Sequence, residues 1–355
     1  MHMSLVALPS GRKRRRLSST PGPHRLRVTL PRVLLTLTVA AAVGVTGSAA
    51  AQATTPPVAS AGVSQGLEQM PAGFTEHKTI VGSLGVNYVI GGHGPTVVLL
   101  HGYPQTWYMW RHIMPALAEH YTVIAPDLPG AGKSDAPGTG YDKRSMAADI
   151  HELLVCLGKD RHIRLVGHDI GTMVAYAYAA AHPNDVTKLV LSESPIPDPS
   201  VYQLPSLTAD GPSAWNFGFF SLTNGLPEDI IRGLEALWTD RFIDSHEFVK
   251  GAITPDEVKV FAHYLKDPAH LTAGFDWFRT LPQDVKDDAV DQRTKLTMPV
   301  LAVGAQYGLG DFVPAQVRKH ATNVTGMVIE NSGHWIYEEH PAEMTKVLLN
   351  FLQKS

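Results

Sequence analysis

Leu165-Val166-Gly167-His168-Asp169-Ile170-Gly171-Thr172 is the stretch that decides how this chain is read. The apolar run 163–166 has the make-up of a buried strand, and 173–181 that of a helix. Between them lies the pattern small-X-acid-X-small. Such a turn packs strand against helix so closely that only glycine-sized flanks fit, and it lifts its central side chain clear of the sheet. Here that side chain is Asp169. The octapeptide alone admits two readings of it, an exposed reactive carboxylate or a helix N-cap.

Outward from this turn, short apolar strands alternate with amphipathic helices. Strands are expected at 86–90, 96–100, 122–125, 163–166 and 188–191, and helices near 107–119, 145–157 and 173–181. That alternation argues an α/β fold with a mostly parallel, twisted sheet flanked by helices on both faces. It stops at Pro195. As far as Asp291 the chain reads as helical and aromatic, with Trp215, Phe217, Phe220, Trp238 and Phe242 among its residues. The alternation resumes with a strand at 300–303, a helix at 315–321, a strand at 326–330 and a closing helix at 342–352. A helical insertion between two such strands is what a cap over the strand C-termini looks like, and open α/β sheets bind ligands at that edge. The expected division is a leader at 1–51, a flexible lead-in at 52–72, a core at 73–194 and 292–355, and a helical cap at 195–291.

The leader combines a long basic head, from Arg12 to Arg32, with an apolar segment, 33–45, too short to span a bilayer comfortably. Ala49-Ala50-Ala51 follows as a small-residue cleavage site. This is the pattern of a secretory signal, with an uncleaved anchor as the alternative. Arg14-Arg15-Arg16-Leu17 also resembles a twin-arginine signal, but the apolar segment begins well downstream of it. The expectation is a secreted or periplasmic protein with no stable membrane anchor after cleavage.

The leader holds eight of the 30 Lys and Arg and none of the 33 Asp and Glu, which leaves 22 against 33 and a net charge of −11 with histidine neutral. An acidic domain gains nothing from counterion release, so nucleic acid is not an expected partner. The sole cysteine, Cys156, falls in the apolar-periodic segment 146–157 and is expected to be a buried structural thiol. The 17 histidines show no metal-ligand spacing on any one element, and no dinucleotide fingerprint follows the first strands. No metal and no cofactor are expected. The partner is expected to be a small hydrophobic substrate, with a homodimer carried as one option for assembly.

Three further motifs sit where strands end. His101-Gly102-Tyr103-Pro104 is a loop able to aim a backbone N–H at developing negative charge. Asp127-Leu128-Pro129-Gly130-Ala131-Gly132-Lys133-Ser134 reads as a structural Gly and Pro turn. Asn331-Ser332-Gly333-His334-Trp335 puts a histidine after the last strand. With Asp169 earlier in the chain, this matches the order nucleophile, acid, histidine.

On these residues the chain from about Gly73 to Phe351 resembles the α/β-hydrolase superfamily, in the aspartate-nucleophile branch of epoxide hydrolases and haloalkane dehalogenases. The likeness is greatest to the secreted Cif-type epoxide hydrolases. It is carried by 101–108, 123–130, 168–171, 193–198 and 333–335 taken together. The resemblance implies Asp169 as nucleophile, His334 as the base that activates water, and the N–H groups of Tyr103 and Ile170 as the oxyanion hole. A carboxylate displaces a leaving group from an sp3 carbon to give an alkyl ester, which a His-activated water splits. The N–H pair serves the second step, when a carboxyl oxygen becomes an oxyanion. For the acid that orients the histidine, Glu193 is preferred over Asp311. Tyr307 stands where many hydrolases place that acid.

In the cap, the resemblance implies a proton donor at two places, which here read Asn216 and Phe278. Neither gives up a proton near neutrality. Tyr264 or Tyr202 could serve in their stead. Alternatively the leaving group is a halide, held by the neutral N–H groups of Asn216 with Trp215 or Trp277. Haloalkane enzymes usually carry a Trp after the nucleophile, and haloacetate enzymes place arginines there, where this chain has Ile170 and Met173. Epoxide hydrolysis is therefore the leading expectation, with dehalogenation and ligand binding with little turnover as alternatives. Trp215, Asn216, Trp277 and Phe278 are the expected substrate-binding residues.

Overall fold

The computed structural model describes residues 67–209 and 211–353. The expected leader lies outside them. One eight-stranded sheet carries the order β1-β2-β4-β3-β5-β6-β9-β10. Strands β3 (Thr96–Leu100), β4 (Thr122–Pro126), β5 (Ile163–His168), β6 (Val186–Ser192), β9 (Val300–Ala305) and β10 (Val324–Ile329) run parallel. Those covered on both faces are apolar almost throughout. β1 (Phe74–Val81) and β2 (Leu84–Gly92) form an antiparallel hairpin that closes one edge, with β2 also antiparallel to β4. β1 escaped the sequence reading because only its two end residues are buried. A polar edge strand has no apolar run to announce it.

α1 (Met114–Ala118), α2 (Lys143–Cys156), α3 (Ile170–Ala181), α10 (Phe312–His320), α11 (Ile336–Glu339) and α12 (Pro341–Gln353) accompany the sheet. The expected helix near 107–119 is instead a 3-10 turn, Trp107–Trp110, followed by the short α1. Between β6 and β9 stand a two-stranded ribbon, β7 (Leu207–Thr208) with β8 (Gly211–Pro212), and six helices. These are α4 (Trp215–Phe220), α5 (Leu226–Ile231), α6 (Glu235–His246), α7 (Pro255–Leu265), α8 (Pro268–Arg279) and α9 (Leu281–Asp291).

The strand order reverses beside β3, whose chain continues to β4 on one side while β5 lies on the other. The C-terminal ends of β3 and β5 therefore border the crevice at a topological switch point, where such sheets bind ligands. β3 runs into His101-Gly102-Tyr103 and β5 into His168-Asp169. A buried ion pair fastens cap to core: Lys143 Nζ donates to Asp284 Oδ2 at 2.8 Å and to the Trp277 carbonyl at 2.6 Å. The expectation for Cys156 is corrected, because its thiol is exposed. It lies at the end of α2, on the side facing away from the buried Leu153 and Leu154.

Candidate active site

The turn at Asp169 is as tight as its sequence requires. A Cβ on Gly171 would stand 2.0 Å from the Leu100 carbonyl oxygen, and one on Gly167 would stand 2.4 Å from that of Gly171. Asp169 adopts φ 51° and ψ −126° and makes no side-chain cap to its helix. A non-glycine residue held in such a region costs on the order of 1–3 kcal/mol and persists only where its surroundings impose it. The N-cap alternative is thereby removed.

Asp169 Oδ1 accepts the Tyr103 N–H at 2.8 Å, and the Ile170 N–H also reaches the carboxylate. Both expected N–H donors therefore converge on it. Glycine at 102 is required here, since a Cβ would stand 2.2 Å from Asp169 Oδ1. His101 pins this loop from below. Its Nε2 accepts the Leu128 N–H at 2.9 Å, so Nδ1 carries the proton and donates to the Gly102 carbonyl at 3.0 Å. Burial pulls the His101 imidazole down to about 4, which keeps it in this neutral form.

His334 Nε2 lies 3.7 Å from Asp169 Oδ2, and its Nδ1 lies 3.2 Å from Glu193 Oε2. Glu193 is buried, while Asp311 is exposed at the start of α10. The reason Glu193 holds this place lies in the loop after β9. The Ala305 and Leu309 N–H groups donate to Glu193 Oε1 at 2.6 and 3.0 Å, and a Cβ on Gly308 would strike Oε2. The loop that carries an acid in many hydrolases here wraps around one supplied by β6. Burial pulls the His334 imidazole down, but the hydrogen bond it donates to Glu193 and the charge of Asp169 outweigh it and hold the ring above its ordinary value. Burial raises the Asp169 carboxyl, with His334 and the two backbone N–H groups pulling the other way.

Over this set lies a cavity of about 460 Å³, roofed by the cap. Trp215, Asn216 and Phe278 line it, as expected. Trp277 does not, and that assignment is corrected: its ring is buried and its Nε1 donates to the Pro129 carbonyl at 3.0 Å. The two replacement phenols are corrected as well. Tyr264 is not among the residues lining the cavity, and Tyr202 is exposed at the surface. Asn216 is buried with no hydrogen bond from its amide among the described residues. The charged side chains bordering the cavity are Asp169, Glu193, Glu247 and His334, with no Lys or Arg among its described lining.

Three contributors escaped the sequence reading. Tyr103, singled out for its backbone alone, is among the residues lining the cavity, and its hydroxyl accepts the Trp238 Nε1–H at 2.9 Å. Gly274 of α8 makes room for that ring, since a Cβ there would stand 2.9 Å from it. His246 lines the cavity from α6, its Nδ1 2.8 Å from the Phe242 carbonyl, and burial pulls it down to about 4. Tyr307 stacks on Phe248 at 4.1 Å, joining the β9 loop to the cap beside the cavity. Only an aromatic ring beside a strand end hinted at the first, and nothing in the local sequence marked the others.

The pattern of the alpha/beta hydrolase fold family matches residues 95–341. Soluble epoxide hydrolase from Corynebacterium sp. (strain C12) is 33% identical over 292 residues, which cover 79% of this chain and 98% of that protein. Fluoroacetate dehalogenase from Burkholderia sp. is 29% identical over 294 residues, covering 79% of this chain and 94% of that one. Among solved structures, the Cif epoxide hydrolase from Acinetobacter nosocomialis superposes with a TM-score of 0.76 at 28% identity, covering 81% of this chain and 91% of its own.

Proposed function

This chain belongs to the α/β-hydrolase fold family and is an epoxide hydrolase-like enzyme, and from that premise we propose that it opens neutral, hydrophobic epoxides through an ester on Asp169. The observation that carries the proposal is the line Asp169, His334, Glu193 beneath an aromatic cavity that has no Lys or Arg in its described lining. The Tyr103 N–H holds Oδ1, leaving Oδ2 to attack an epoxide carbon. The C–O bond of the ring breaks as the ester bond forms, and the oxygen leaves as an alkoxide. Glu193 on Nδ1 leaves the Nε2 lone pair of neutral His334 facing the ester. That nitrogen takes a proton from water, whose oxygen attacks the carboxyl carbon. The oxyanion then forms against the N–H groups of Tyr103 and Ile170. The ester bond breaks, and the diol leaves with Asp169 restored.

The alkoxide needs a proton, and neither Asn216 nor Phe278 supplies one. We assign that role to the Tyr103 hydroxyl. Its oxygen already accepts from Trp238, so its own proton is free to be donated, and the Asn216 amide lies on the same cavity to orient the oxygen. The phenol regains its proton from the imidazolium formed in the second half.

Halide displacement is the second reading. It is favoured by the unpartnered Asn216 amide, a neutral donor suited to a departing halide. The absence of Lys and Arg from the described lining speaks against a haloacid, because a carboxylate would enter beside Asp169 and Glu193 with no fixed positive charge to clamp it.

One turnover in heavy-oxygen water tests the ester, with mass analysis of the Asp169 peptide. Label in that peptide is the expected result, and its absence overturns the covalent route. Diol from aryl or aliphatic epoxides, compared with bromide from bromoalkanes, separates the two substrates. The basic and then apolar leader supports export as a further part of this reading. N-terminal sequencing of the mature protein checks it.

A further inference from the structure

At the far end of α3 from Asp169, about 18 Å along a helix of 12 residues, three side chains from three elements come together. His151 projects from α2, His182 is the C-cap of α3, and Asp185 immediately precedes β6. Asp185 Oδ2 lies 3.9 Å from His151 Nε2 and 3.9 Å from His182 Nδ1, and one ligand atom from each of the three falls within 4.8 Å of the others. We propose that this cluster binds a divalent transition metal of the zinc class, with two imidazole nitrogens, one carboxylate oxygen and an open position for water.

Four observations carry the assignment. Two imidazoles and one carboxylate are a borderline nitrogen and oxygen set, which suits zinc, copper or nickel better than magnesium or calcium. Asp185 is buried, and Arg161 donates only to its Oδ1, at 2.5 Å, so Oδ2 stays available. The C-terminal end of α3 is the negative end of its dipole, which favours a cation at His182. Finally, the buried Tyr178 hydroxyl has no hydrogen-bond partner among the described residues, and its ring centroid lies 5.7 Å from that of His151 and 5.2 Å from that of His182. A water on the metal would give that hydroxyl the partner it lacks.

As they stand, the two imidazoles are stacked, with centroids 3.7 Å apart and planes 1° apart. Lone pairs in parallel planes do not meet at one point, so binding requires one ring to turn. Both rings are part-exposed and free to do so. Spacing along one element could not reveal this site, because His151 stands on α2, 31 positions before the turn between α3 and β6 that carries both His182 and Asp185.

The test uses the full chain, cleared of metal by chelator, with Co2+ as a spectroscopic probe and Zn2+ in calorimetry. The expected result is one Co2+ per chain with tetrahedral or five-coordinate ligand-field bands, displaced by Zn2+. His151→Ala and His182→Ala are each expected to weaken binding by about tenfold or more. Arg161→Ala is expected to strengthen it by removing the cation beside Asp185. Proton release on binding should grow as the pH falls into the imidazole range. Absence of a stoichiometric Co2+ spectrum overturns the proposal. So does one equivalent retained with unchanged affinity in His151→Ala and His182→Ala, which would put the metal elsewhere.

Discussion

Glu193 Oε2 lies 3.2 Å from Nδ1 of His334, and the loop that could have supplied a rival acid spends its Ala305 and Leu309 N–H groups on the other oxygen of Glu193. The acid is thus fixed from both sides, by the ring it orients and by the backbone that holds it. Glu193→Gln keeps the shape but removes the charge that favours the imidazolium. Turnover is expected to fall by about 10²- to 10⁴-fold, with the alkyl-ester step much less affected. Asp311→Asn, altering an exposed side chain, should leave turnover unchanged. Steady-state rates and ester accumulation by mass analysis check both.

The pH dependence follows from the same contact. His334 is held above the ordinary imidazole value of 6.5 chiefly because Glu193 and Asp169 outweigh its burial. It acts as a base only when neutral, so ester hydrolysis should rise with pH; esterification removes the Asp169 charge, so the midpoint of this limb should lie below that of His334 in the free protein. In Glu193→Gln the surviving activity should rise at a lower pH still, because the carboxylate hydrogen-bonded to the imidazole, which persists in the ester, is gone. Single-turnover rates of ester decay across pH 5–9 measure the limb. A midpoint that moves upward in the variant would contradict the assignment.

The elbow was legible in the sequence because its constraint is steric and local. Gly167 and Gly171 stand where backbone passes within van der Waals distance, and that requirement leaves small residues at fixed offsets. Asp169, His334 and the Tyr103 loop could be read because each follows a strand whose apolar run is unmistakable. The cap was not legible to the same depth. Its helices are apolar on several faces, so sequence could not tell that Trp277 turns into the core while its neighbour Phe278 faces the cavity. Polar β1 and the exposed Cys156 failed for the converse reason: each departs from the apolar pattern of its surroundings only by which way it faces.

The Lys143 and Asp284 pair makes a prediction for stability. Both side chains are buried, and Lys143 also reaches the Trp277 carbonyl and Thr280 Oγ1. Asp284→Ala strands the ammonium, with an expected cost of about 3–5 kcal/mol. Replacing both partners by apolar residues, Lys143→Met with Asp284→Leu, should recover much of that loss. Chemical denaturation of the two variants beside the parent chain checks the order. If the single variant proved the more stable, the pair would not be the fastening between cap and core.

Asp288 points the other way. It is buried on α9, its Oδ2 has no hydrogen-bond partner among the described residues, and burial, with Asp291 and Asp284 nearby, pushes its carboxyl up to about 9. The ordinary value is 3.8. Between the two, the folded chain keeps a proton that the unfolded chain has released, so this group costs stability progressively as pH rises. The cost grows by up to about 1.4 kcal/mol per pH unit in that window. Asp288→Asn has no such proton to hold. Its melting temperature is expected to exceed that of the parent at pH 8, with the gap closing towards pH 4.

Tyr103 separates the two substrate readings by chemistry instead of by affinity. An epoxide oxygen departs as a strongly basic alkoxide, whereas a halide departs without a proton. Burial makes the Tyr103 phenol a weaker acid, and the Trp238 N–H on its oxygen partly offsets that. The phenol's own proton is not used by the Trp238 contact, so it is the proton open to the opening ring. Tyr103→Phe leaves the backbone N–H and the aromatic packing against Phe220 and Phe278 in place while deleting the proton. Ester formation from an epoxide is expected to fall by about 10²- to 10⁴-fold. Ester formation from a bromoalkane of the same size should not change. Trp238→Phe, which removes the hydrogen bond but keeps the phenol, should give a smaller loss with epoxide and none with bromide. Equal losses on both substrates in Tyr103→Phe would mean that the hydroxyl shapes the cavity and the proton comes from elsewhere.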